Sequence, residues 1–131
     1  MKILLLFVIT LLGYALLDLA FINLFAKVFI QRQVGWLLAP RPDLGAALLF
    51  YLIFVVALLY FCVLPADNIG KALLNGAFFG LATYATYELV NKALLDRWPW
   101  PLVLVDLCWG VFVGAVTSGL GWRAGKWLGG I

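Results

Sequence analysis

Long apolar runs broken by single polar residues dominate this chain, and their lengths predict four membrane-spanning helices. Residues 3–26 are interrupted by Asp18 and Asn23; at 1.5 Å per residue the run reaches roughly 36 Å, enough to cross a hydrocarbon core of about 30 Å. Lys2 followed by Ile3 to Leu12 imitates a secretory signal, but no small-x-small site follows and the apolar run continues, so it reads as an uncleaved first helix. Residues 44–64 contain no charge, with Asp43 placed to cap the start and Pro65 to stop the end. A third span over residues 72–91 carries Glu88. A fourth over residues 101–121 starts at Pro101, a residue suited to a first helical turn, and carries Asp106. Short connections make the expected fold an all-α, up-down-up-down transmembrane four-helix bundle.

Composition agrees with that pattern. Of 131 residues, 66% are hydrophobic and 11% charged, and the mean hydropathy of +1.11 is beyond what a water-soluble domain carries. Four spans use most of a 14.5 kDa chain, leaving a single transmembrane domain over residues 1–131. The segment from Lys27 to Arg41 reads as an interfacial stretch anchored by Trp36 and stopped by Pro40-Arg41-Pro42. Trp98 and Trp100 read as interfacial belt residues at the same end, and Trp122 and Trp127 as a belt at the other. The net charge of +3 comes from nine dispersed Lys and Arg, with no basic stripe to track a phosphate backbone, so no nucleic-acid partner is expected. Four cations fall on the side of the termini and five on the other, too even a split to set orientation. Cys62 and Cys108 lie about 16 Å apart along the membrane normal at 1.5 Å per residue, too far for a disulfide, and read as buried small hydrophobes.

The chain has no His and one Ser, Ser118. Histidine-ligated metals, haem held by His and Ser/His/Asp hydrolysis are thereby excluded, and neither a metal site nor a cofactor is expected. What remains is carboxylate chemistry. Asp18, Glu88 and Asp106 lie within apolar spans, where an acid costs at least about 2.5 to 3.5 kcal/mol at the helix centre and so faces protein. In an up-down bundle all three fall at the end bearing the two Trp-containing loops. They therefore converge on one pocket.

Helical phase adds detail. Gly76, Gly80, Thr83, Tyr84, Tyr87, Glu88 and Asn91 share a sector of about 140° at 100° per residue, and Asp106, Gly110, Gly114, Thr117, Ser118 and Gly121 do the same on the fourth span. The Gly76/Gly80 and Gly110/Gly114 pairs allow close backbone approach, which suits helix packing in lipid and also a homo-oligomer. Two carboxyls close together in low dielectric do not both ionise easily, so Glu88 is the expected proton donor or acceptor and Asp18 its partner. Tyr51, Tyr84, Tyr87, Asn91, Asp106 and Trp109 are the expected hydrogen-bonding and ligand-binding frame. A short echo, Tyr14-Ala15-x-x-Asp18 against Tyr84-Ala85-x-x-Glu88, links spans one and three.

Phe50-Tyr51, Leu59-Tyr60-Phe61 with Pro65-Ala66, the stretch Gly76 to Asn91 with Gly80-Leu81 and Tyr84-Ala85-Thr86-Tyr87, Trp98-Pro99, Val105-Asp106 and Trp109-Gly110 resemble the bacterial predicted membrane proteins of domain-of-unknown-function family 2177. The resemblance covers nearly the whole chain and implies a small, multi-pass bacterial inner-membrane protein of four helices. It implies no activity. The chain departs from the family at Tyr87-Glu88-Leu89-Val90-Asn91, where Tyr-Asp-Leu-Thr-Asn is common; the acid is kept one methylene longer and a hydroxyl is lost.

Three readings of the acid cluster stay open. One is a one-sided pocket for a lipid-like or other amphipathic small molecule, with or without proton-transfer catalysis. The second is a dimeric proton-coupled exporter, against which the displacement of the acids to one end counts. The third is an assembly partner of another membrane protein, packing through its glycine faces.

Overall fold

The computed structural model describes residues 1–130, and all regular structure among them is helical. Helix α1 is Lys2–Leu37, α2 Leu44–Val63, α3 Ile69–Leu94 and α4 Trp100–Trp127. Helices α1, α2 and α4 are long and apolar enough to cross a membrane. At 26 residues, or roughly 39 Å, α3 is also long enough. It is the least apolar of the four because Asn75, Thr83, Tyr84, Thr86, Tyr87 and Glu88 interrupt it.

The ends of these helices follow from local chemistry. Asp43 accepts a hydrogen bond from the Ala46 amide at 3.1 Å, capping α2, and Asn68 accepts one from Lys71 at 2.9 Å, capping α3. The Asn68 cap starts α3 at Ile69, three residues before the apolar run does. Pro101 lies in the first turn of α4, where its missing amide hydrogen costs nothing. Helix α4 continues to Trp127 rather than to residue 121.

The largest departure from the sequence pattern is in α1. Instead of a span ending at residue 26 and a separate interfacial stretch, one helix of 36 residues runs from Lys2 to Leu37, roughly 54 Å at 1.5 Å per residue. A wide turn at Ile22–Ala26, closed by a bond from the Lys27 amide to the Ile22 carbonyl, carries the helix past Asn23 and Lys27 without a break. The polar residues there, Asn23 and Lys27, sit on the outside. A second wide turn closes α2 at Leu59–Val63.

Helix pairing is antiparallel between chain neighbours. Gly76 lies against Gly114 and Gly80 against Gly110, so closely that a Cβ on either α3 glycine would fall inside the facing carbonyl. Helix α1 packs on α4 through Gly13 with Leu120, Thr10 with Gly121, and Phe21 with Trp109. It packs on α2 through Tyr14 with Phe54 and Tyr51. Near the loop at residues 64–68, Asn75 donates to the Cys62 carbonyl at 3.2 Å and the Trp122 indole to Ala66 at 3.1 Å. The core holds Leu6, Tyr14, Phe54, Val55, Leu58 and Val113, among others. Leu16, Leu24, Leu44, Leu74, Phe78 and Leu94 instead point outward. So large an apolar exterior matches a lipid solvent and not water.

The four glycines are buried against one another within the chain. One expectation is corrected here. Both cysteines are free, but only Cys62 is buried; Cys108 is exposed, because it sits on the outward side of α4 between Leu104 and Phe112.

Candidate functional site

Four helices and two connections enclose a cavity of about 980 Å³ at the end holding residues 38–43 and 95–99. All eight residues singled out from the sequence line it: Asp18, Tyr51, Tyr84, Tyr87, Glu88, Asn91, Asp106 and Trp109. The cavity also takes in residues the sequence pattern assigns elsewhere, notably Tyr14, Phe21, Ile30, Val34 and Trp98.

Helix α1 forms the longest wall, through Tyr14, Asp18, Ile22, Ala26, Ile30 and Val34. A regular α-helix advances about 400° every four residues, so five such steps rotate the face away by roughly 200°. The wide turn at Ile22–Ala26 absorbs one residue and brings the drift down to about 100°. Ile30 and Val34 are thereby kept on the side of the acids. Val34 then packs with Trp98, Leu102 and Val103, closing the cavity at its outer end.

Asp18 stands between α2 and α4. It accepts a short hydrogen bond of 2.5 Å from the Tyr51 hydroxyl and one of 3.2 Å from the Trp109 indole. Trp109 is held in place by stacking on Phe21, with centroids 4.1 Å apart and rings 4° from parallel. One turn deeper, the Tyr14 and Tyr84 hydroxyls share a hydrogen bond of 2.8 Å. The two motifs that echo each other in sequence thus meet in space, with their acids on either side of the cavity.

Glu88 is 2% exposed. It accepts from the Trp98 indole at 2.9 Å, and Asp106 of α4 lines the same part of the cavity. The expected partnership of Glu88 with Asp18 is not formed: the donor to Glu88 is Trp98, and Asp18 has its own set of neutral donors. The reason is lateral position, since α1 meets α4 at Trp109, one turn along from Asp106. Asp106 itself lies in the second turn of α4, facing inward rather than toward bulk water at the helix start.

Trp98 is the second correction. The sequence pattern places it in an interfacial belt with Trp100; Trp100 is exposed, but Trp98 is buried. Arg97 adopts φ 60°, which turns the chain back so that the indole reaches Glu88. Lys92 secures the turn by donating to the Trp98 carbonyl at 2.7 Å. Both tryptophans precede a proline, so the sequence carries no signal that separates the buried one from the exposed one.

Tyr87 is exposed, Asn91 partly so, and both stand at the rim of the cavity. Across from them stand Ala47 and Phe50 of α2. In this stretch α2 packs principally on α1, so the rim between α2 and α3 is loosely closed.

The family described as predicted membrane protein (DUF2177) matches residues 3–123. No curated protein and no solved structure matches the chain.

Proposed function

The chain belongs to this family of predicted membrane proteins, and from that premise we propose that it is a multi-pass protein of the bacterial inner membrane which binds a lipid-like or amphipathic small molecule. In this reading residues 1–131 are one domain, α3 crosses the bilayer with the other three helices, and the bundle runs up-down-up-down. Asp18, Glu88 and Asp106 form the polar side of the binding site, with Tyr51, Tyr84, Tyr87, Asn91 and Trp109 framing it.

The observation that carries this reading is the cavity itself. Its volume of about 980 Å³ is at the top of the range of roughly 300–1,000 Å³ common for small-molecule sites. One side is built of acids, phenols and an indole, and the other of aliphatic residues such as Ile22, Ile30, Val34 and Leu102. A molecule with a polar head and an apolar body satisfies both sides at once. The loosely closed rim between α2 and α3 lets it enter from the membrane.

The test is native mass spectrometry of the protein released with its surrounding lipid. A small molecule retained by the wild type and lost from Glu88→Gln and Asp18→Asn supports the reading. If the adducts of wild type and both variants are identical, or if no adduct forms, the site assignment is wrong.

An exporter working as a dimer has less support. The cavity is displaced to one end, whereas transporter sites lie near the midplane between repeats, and the glycine face that a dimer needs is used within the chain.

A further inference from the structure

Resting on the ligand-binding reading, the charge arrangement around the cavity narrows the class of ligand. Three carboxyls line it, and its lining contains no lysine or arginine among the described residues. Cations are nevertheless close at hand. Lys92 is one turn beyond Glu88 on α3, and Arg97 is in the adjoining loop. Both are turned elsewhere: Lys92 Nζ donates to the Trp98 carbonyl and lies 5.3 Å from the Trp100 ring, and the Arg97 guanidinium lies 4.3 Å over the Trp36 ring. The chain thus uses its basic groups on carbonyls and π faces and leaves the acids without a counter-charge.

The acids are also unevenly supplied with donors. Asp18 has two neutral ones, and Glu88 has one, the Trp98 indole. None of the side-chain hydrogen bonds among the described residues goes to Asp106, which nevertheless lines the cavity. A buried anion without a paired cation is costly in a low dielectric. The rings of Phe21, Tyr51, Tyr84, Tyr87 and Trp109 line the same cavity, and aromatic faces attract cations electrostatically. Carboxyls backed by aromatic rings are the combination that recognises ammonium groups. A phosphate or carboxylate head would meet three acids and no compensating charge.

We propose that the cavity takes a cationic amphiphile, with an ammonium head among Asp18, Glu88 and Asp106 and an alkyl body along Ile22, Ala26, Ile30 and Val34. The head enters between Phe50 and Tyr87, at the loosely closed rim.

The experiment uses the full chain in phosphatidylcholine nanodiscs and three probes of one chain length: dodecyltrimethylammonium, dodecyl glucoside and dodecyl phosphate. Binding is read from the change in tryptophan fluorescence, corrected for partitioning into protein-free discs. The expected result is saturable binding of the ammonium probe, at least about tenfold tighter than the glucoside, a gap well within what one charge pair supplies at an effective dielectric of 20. Dodecyl phosphate is expected not to saturate. Asp106→Asn removes an ionisable carboxyl without orphaning any donor of the chain, so it is expected to keep the wild-type melting temperature and abolish the preference for the ammonium head. Equal binding of ammonium and glucoside probes, or tighter binding of the phosphate, overturns the proposed class while leaving the amphiphile site standing. If Asp106→Asn melts with the wild type and retains the preference, the assignment to these acids is overturned. If none of the three saturates, the ligand-binding reading itself falls.

Discussion

Helices α3 and α4 form one antiparallel pair whose two halves are built on opposite terms. Toward the loop at residues 64–68, glycines 76, 80, 110 and 114 bring the two backbones into contact, with Thr117 and Ser118 fully buried beside them. Toward the other end the facing residues become Tyr84, Tyr87, Glu88 and Asp106, and a cavity replaces the contact. The change is abrupt: a Cβ on Gly110 would meet the Tyr84 ring on one side and the Gly80 carbonyl on the other. The comparison teaches that side-chain size alone sets where this pair is closed and where it holds space. Without a hydrophobic driving force between helices in lipid, close packing in one half has to supply the cohesion that lets the other half stay open.

The largest effect is expected in the closed half. Gly80→Leu forces the helices apart against the Gly110 carbonyl and is expected to cost about 3 kcal/mol, the upper part of the range for overpacking. Unfolding by a denaturing detergent measures it, and a loss under about 0.5 kcal/mol would show that the pair does not depend on contact there.

Next comes the buried acid of the open half. Trp98→Phe keeps the ring and removes the one indole donor to Glu88, with an expected loss of about 2 kcal/mol for a buried acceptor left short. Combining it with Glu88→Leu should recover much of that loss, because the orphaned group is gone. A double-mutant cycle with zero coupling energy breaks the assignment.

Tyr51→Phe is a milder test, since Asp18 keeps its Trp109 donor. About 1 kcal/mol is expected, in line with hydrogen bonds between helices in lipid. Its effect should add to that of Gly80→Leu, because the two lie in different halves; strong coupling would mean that the halves are not independent. The smallest change is expected on the outside. Phe78 is 71% exposed, and Phe78→Leu should shift stability by less than about 0.5 kcal/mol. A larger shift points to a partner covering that face.

Much of the open half is legible in the sequence, because an acid in an apolar run has few places to go. Asp18, Glu88 and Asp106 stand at matching depths by residue count alone, and all eight candidate residues line one cavity. The pairing of acids with donors is not legible. Depth along a helix follows from chain distance, but which donor each acid meets depends on how α1, α3 and α4 are arranged around the bundle axis. Trp98 is hidden for a related reason, since its role depends on one backbone angle at Arg97. The continuation of α1 to Leu37 is hidden because a polar residue ends an apolar run without ending a helix.

The sequence by itself determined the membrane character, the lengths of the apolar runs, the Asp43 cap and the depth of each carboxyl, all of which are set by composition and by distances along one chain. Only the tertiary structure decided that the glycine faces close on each other, that Glu88 pairs with Trp98, and that the wide turn in α1 keeps Ile30 and Val34 beside the acids. Those outcomes depend on rotation of helices about their axes, and a helical residue carries information about its own face but not about which neighbour that face will meet.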